Sequence, residues 1–91
     1  MVKRVSLPSK MDTAASGELR RKLVEARDED IVLDAAAVEM IGAQCLEVLM
    51  SAGVLWKKAD RAISIENVSP QMLDDLGRFG LTADTLLEYA A

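Results

Sequence analysis

Few residues in this chain could do chemistry. There is one cysteine and no histidine. Cys45 stands just after Gly42-Ala43-Gln44, where an apolar helix is expected to begin. A helix N-terminus can favour a thiolate, but no His or acid–base partner lies near it in sequence, so a small buried hydrophobe is the plainer role. Asp34 closes an apolar run and Asp12 sits in an earlier turn. Two carboxylates could bind a metal or serve as an acid, yet nothing supplies a phosphate cradle, since no Gly-rich loop precedes a helix. Carboxylates at such positions more often cap turns or helix ends. One Cys without His excludes the usual zinc sites. Ser69 before Pro70 could accept a phosphate, but reads better as a helix N-cap. No catalytic residue, metal site or cofactor is expected.

The elements that must position these residues follow from the hydrophobic pattern. Ninety-one residues make one small domain, about half of them hydrophobic, which argues against disorder. Aromatics are scarce, only Trp56, Phe79 and Tyr89, so Leu, Val, Ile, Ala and Met must build the core. Val2 to Leu7 alternates as a strand near an edge, stopped by Pro8. A helix is expected over Ala14 to Arg27, with Ala15, Leu19, Leu23 and Ala26 as its buried stripe. Thr13 is a plausible cap, with Asp12 or Ser16 as alternatives. The pairs Glu18–Lys22 and Arg21–Glu25 are spaced to support it.

After the acidic turn Asp28-Glu29-Asp30, Ile31-Val32-Leu33 reads as a central strand buried on both faces. The loop Ala35 to Ile41 leads to a helix from about Ala43 to Lys58, apolar nearly all round and so mostly covered. Arg61 to Glu66 reads as a third strand. Ser69-Pro70 opens a third helix with Met72, Leu73, Leu76 and Phe79 buried and Gly80 at its end. Leu81 to Ala91 could be a strand or a short helix. The alternation implies an α/β fold with a small, mostly parallel sheet and helices packed against it.

The net charge of −4 argues against nucleic acid, which wants a clustered basic face. No run of about 18 apolar residues offers a membrane span. The start, Met1 to Pro8, lacks an apolar signal core, and one cysteine suits a reducing compartment, so a cytoplasmic location is expected.

Three stretches carry a family resemblance: the leading strand and turn ending in Asp12, the block IVLDAAAVEMIGAQCLEVL, and the block ISIENVSPQMLDDLGRFGL. Together they resemble the STAS domain, the module of anti-sigma factor antagonists and of sulphate-transporter tails, from about Val5 to Leu81. In that family the middle block carries a short Asp-Ser-Ser-Gly or Asp-Ser-Ala-Gly motif before the apolar helix. On that pattern Gly42 stands at the Asp, Ala43 at the phosphorylatable serine, Gln44 at the next small or polar residue and Cys45 at the glycine, while Leu46 keeps the leucine that follows. Alanine has no hydroxyl, so the usual kinase switch, which adds roughly two negative charges, cannot run at Ala43.

The Gly-Ala-Gln-Cys-Leu variant is similar to small stand-alone STAS proteins of alphaproteobacterial chemotaxis clusters. The resemblance implies a non-catalytic interaction module whose partner is a histidine kinase or related ATPase-type regulator. Lys10, Met11, Asp12, Glu39, Met40, Gly42, Ala43 and Gln44 are its expected docking face, with Met40 as an adaptable apolar contact. A second implied role is a STAS subunit of an ABC-type lipid-transport complex. Arg20-Arg21-Lys22 is expected to be a solvated helix face.

Overall fold

The computed structural model describes residues 2–88 of the chain. Its elements are β1 (Val2–Ser6), β2 (Lys10–Met11), α1 (Thr13–Glu25), β3 (Asp30–Asp34), β4 (Met40–Ile41), α2 (Ala43–Lys58), β5 (Ile63–Glu66), α3 (Pro70–Arg78) and α4 (Ala83–Leu86). Strands β1, β3 and β5 form one sheet in that order, all parallel, with Val5, Leu33 and Ile65 in register. The α/β class and the mostly parallel sheet expected from the sequence are both present.

The strand order explains the layering. Each crossover moves the chain one strand further in the same direction. Right-handed crossovers of that kind put both connecting helices on one face of the sheet. Burial agrees: Val5, Ile31 and Leu33 are buried on the helix side, whereas Val32 on the other side is only half-buried. The expectation that β3 is covered on both faces is therefore corrected. The open face carries Arg4, whose guanidinium reaches Asp34 at 3.1 Å and Glu66 at 2.9 Å across the three strands.

The helices differ from expectation in instructive ways. The cap of α1 is Asp12, whose carboxylate accepts the Ala15 N–H at 3.0 Å, not Thr13 or Ser16. Among the described residues the two expected i,i+4 pairs are not formed; Arg21 instead approaches Glu18 at 3.8 Å. Helix α2 spans Ala43–Lys58 as expected and buries Cys45, Leu46, Leu49, Ala52, Gly53 and Trp56. It is not covered all round, because Leu55 is 57% exposed. In α3, Met72 and Leu76 are fully buried, but Leu73 and Phe79 stand outside. The buried stripe of α3 is thus narrower than its apolar spacing suggests. Gly80 takes a φ of +75°, the left-handed turn that releases the chain from α3.

The segment after Leu81 resolves as a short helix: Thr82 and Thr85 cap each other, and Leu86 is buried. Residues 89–91 of that segment lie outside the described residues. The segment rests on α2 so closely that a Cβ on Gly53 would overlap the Leu87 carbonyl oxygen.

Candidate functional site

The loop between β3 and α2 is not irregular throughout. Its last two residues pair with β2 in a second, two-stranded parallel sheet, Lys10 opposite Met40 and Met11 opposite Ile41. Neither strand is long enough to show a period in sequence. Around this pairing the backbone closes tightly. The Glu39 N–H donates to the Ser9 carbonyl at 2.7 Å, and the Gly42 N–H donates to the Met11 carbonyl at 2.9 Å. The Ile41 N–H donates to the Asp75 carboxylate at 2.9 Å. The Lys10–Asp12 turn and the Glu39–Gln44 stretch, some thirty residues apart in sequence, thereby share one surface.

Two helices begin at that surface. Asp12 caps α1, while Gly42 begins α2 with no side-chain cap. The α2 start leaves its first N–H groups without a side-chain acceptor, the positive end of the helix dipole. A Cβ on Gly42 would meet only the Met11 carbonyl at 3.6 Å, an ordinary contact, so steric need does not explain the glycine. Ser16 Oγ donates to the Thr13 carbonyl at 2.7 Å and lies 3.5 Å from Gln44 Oε1, which ties the two helix starts together.

Lys10, Asp12, Glu39, Ala43 and Gln44 are exposed, and Met40 is exposed at 36%. Gly42 is half-buried. Met11 departs from expectation: its side chain is wholly buried and belongs to the core. It shapes the surface through its backbone, and its inclusion as a contact residue is corrected. The outward apolar atoms are therefore Met40 and the Ala43 methyl, ringed by Lys10, Asp12, Glu39 and Gln44.

The remaining candidates resolve as structural. Cys45 is buried, and its thiol donates to the Asp12 carbonyl at 3.3 Å. Burial, with the Asp12 charge added, pushes the thiol pKa up, the reverse of a reactive thiolate. Ser69 is buried, donates to the Val38 carbonyl at 2.6 Å and accepts the Met72 N–H at 3.1 Å, as an N-cap should. Asp34 accepts from the Ala36 N–H, from Arg4 and from Asn67. The Ala36 N–H first, then those two side chains, hold its carboxyl below the usual carboxylate range. Asp12 and Asp34 thus serve separate structural ends. Among the described residues no group of three or more His, Cys, Asp or Glu side chains could hold a metal ion. Arg20, Arg21 and Lys22 are exposed, as expected.

Sequence reasoning missed Asp75. Its side chain is 17% exposed, with Arg78 at 3.0 Å on its other oxygen. It sits 34 residues from the amide it holds, and nothing local marks it.

A one-sided parallel sheet, a short second sheet and two helix starts converging on one exposed surface define an α/β domain. The family model described as "Mlab, STAS domain" matches residues 2–88. The chain belongs to the STAS domain family. STAS domains are typically non-catalytic modules, anti-sigma antagonist-like, that bind protein partners. No curated protein matches the chain. Among the described residues no helix is long and apolar enough to cross a membrane.

Proposed function

We propose that this chain is a non-catalytic protein-interaction module of bacterial signalling. Its partner is a histidine kinase, of the chemotaxis type, or a related ATPase-type regulator in the cytoplasm. Lys10, Asp12, Glu39, Met40, Gly42, Ala43 and Gln44 make the contact. The observation that carries this reading is the β2–β4 pairing, which gathers two distant stretches of chain into one exposed surface around Met40 and Ala43. An apolar centre with a polar rim is the usual anatomy of a protein interface. The face carries no histidine, and the neighbouring Cys45 is buried, which supports binding in place of catalysis. With Ala43 at the family's phosphoserine position, control is by occupancy: the module shifts its partner between states through its different affinity for each.

Ala43→Glu tests the reading without confounding folding. Ala43 is the first residue of α2, where a carboxylate faces the positive end of the helix and stabilises it by about 0.3–1 kcal/mol. The expected outcome is a domain at least as stable as the parent that no longer retains a chemotaxis histidine kinase in a pull-down from its own source. Retention of that kinase by Ala43→Glu sinks the placement of the interface. Co-purification of an ABC-type ATPase with its membrane subunits, and no kinase, moves the chain to the lipid-transport role.

A further inference from the structure

A second surface stands apart from the docking face. Helices α1 and α2 each connect two parallel strands, so they run side by side in the same direction. Between them lies an open groove of about 690 Å³, floored by the buried Leu23, Ala52 and Trp56. Val24 on the α1 wall is 45% exposed, and Leu55 on the α2 wall is 57% exposed. Each wall thus turns one large apolar side chain to water beside an apolar floor, the kind of surface that another protein covers.

The charges on the walls cancel. Arg20 stands on α1 and Glu47 on α2, while Arg27 and Asp28 stand side by side in the turn beyond α1. None of the four is in an ion pair among the described residues. A neutral rim selects neither an acidic nor a basic partner; the order of its charges suits a surface that supplies its own complement.

That order follows from the heights of the residues. Ser16 lies 3.5 Å from Gln44 where the two helices begin. Arg20 is four residues beyond Ser16, and Glu47 is three beyond Gln44. They therefore stand within about 1.5 Å of one height, on opposite walls. By the same count Leu55 stands about 4.5 Å below Val24, less than one turn. A two-fold axis parallel to the helices keeps every height and exchanges the walls. It sets Arg20 against Glu47 of a second copy and Val24 beside its Leu55, and makes each contact twice. An axis across the helices would instead carry Arg20 toward Arg27. Gly17, where a Cβ would meet nothing within 4 Å, and Ser51 keep the walls low, so the α2 ridge of each copy, led by Leu55, can enter the groove of the other.

We propose that the α1–α2 groove is the interface of a two-fold homodimer, with Arg20 of each copy on Glu47 of the other and Leu55 as the apolar anchor. Sedimentation equilibrium of the intact chain, from micromolar to millimolar concentration, is expected to show the mass rising from one copy to two. Leu55→Glu, at an exposed position, should remain a single copy throughout. Arg20→Glu and Glu47→Arg should each weaken association about tenfold, because two exposed attractive pairs become repulsive. Mixing those two variants should recover it, since every Arg then meets a Glu across the interface. That recovery also shows that both variants are folded.

A single-copy mass at every concentration overturns the proposal, including where the groove takes up phospholipid or a helical peptide instead. A dimer that survives Leu55→Glu overturns it too, by placing the contact elsewhere. Failure of the mixture to recover, with both variants folded by far-ultraviolet circular dichroism, refutes the two-fold arrangement. Gln44 is the only residue shared by the groove and the docking face. Ala43→Glu should therefore leave the dimer intact, and loss of the dimer in that variant would move the interface to the docking face and refute the groove.

Discussion

Removing the Asp75 carboxylate should loosen the strand that presents Met40. The Ile41 N–H has one partner, an Asp75 oxygen at 2.9 Å, and Ile41 is only 3% exposed. Asp75→Ala leaves that donor without an acceptor in a place water reaches poorly. An orphaned buried donor costs about 1–3 kcal/mol, and a hydrogen bond to a charged group lies toward the upper part of that range. We therefore expect a loss of about 2 kcal/mol, or a melting point lowered by about 8–16 °C in a domain of this size. Asp75→Asn keeps an acceptor for Ile41 and should lose roughly half as much. Arg78 contributes little by the same reasoning: it is 78% exposed, and an exposed ion pair is worth about 0–1 kcal/mol.

Urea unfolding of Asp75→Ala, Asp75→Asn, Arg78→Ala and the Asp75→Ala/Arg78→Ala pair separates the two interactions. Hydrogen exchange at the Ile41 amide locates the effect. The expected order of loss is Asp75→Ala, then Asp75→Asn, then Arg78→Ala, with Ile41 exchanging faster in the first. If Arg78→Ala costs as much as Asp75→Ala, the ion pair carries the stabilisation and the account of Asp75 as an anchor for β4 is refuted. An Ile41 amide still protected in Asp75→Ala refutes it equally.

Gly53→Ala sets helix propensity, worth about 1 kcal/mol in its favour, against overlap with the Leu87 backbone. Backbone cannot give way as a side-chain tip can, so overpacking should win by about 1–3 kcal/mol; a melting point above the parent's would show the contact to be unimportant. Asp34 titrates below the usual carboxylate range when folded, so its stabilisation is full above about pH 4 and fades as pH falls through the depressed value. Asp34→Asn should flatten the stability–pH curve on that acid side, and parallel curves would count against the assignment. Cys45, buried with its pKa raised, should react with a thiol reagent at neutral pH only as fast as the chain opens. Prompt labelling of the folded protein would return it to candidacy as a reactive thiol.

What was legible in the sequence is what local physics decides. The run Cys45 to Trp56 admits little but a helix, and Ser69-Pro70 admits little but a helix start, so both were readable at their true positions. The α1 cap was less so, because Asp12, Thr13 and Ser16 are all competent and only the chain's entry angle selects Asp12. Where contact with distant residues decides, pattern reading fails. A two-residue strand such as Met40–Ile41 has no period, and exists because Lys10–Met11 is beside it. Val32 looks like a core residue in Ile31-Val32-Leu33, but the crossovers leave its face uncovered. Leu73 and Phe79 have helical spacing, yet α3 lies against the core along Met72 and Leu76 alone. The stretches proposed as the docking face stand apart in sequence; that β2 and β4 pair to join them, that Met11 turns inward and that Asp75 holds the edge was not legible.

Control at the proposed docking face follows from what Ala43 lacks. A phosphoserine there would turn an interface off by placing roughly two negative charges inside it. Ala43 offers no acceptor, so under the proposed reading the fraction of partner bound follows concentration and affinity. Ala43→Ser separates these cases. It restores the hydroxyl at an exposed position in the first turn of α2, where it fits without strain. If the proposed partner is a kinase that phosphorylates this position, the serine variant should acquire phosphate during incubation with ATP and then lose the partner, while the parent keeps it. If the variant stays unmodified and bound, the partner no longer uses this residue as a switch, and occupancy control extends to both sides of the interface. Phosphate on the parent chain itself, at Ser69 or elsewhere, would refute occupancy control outright.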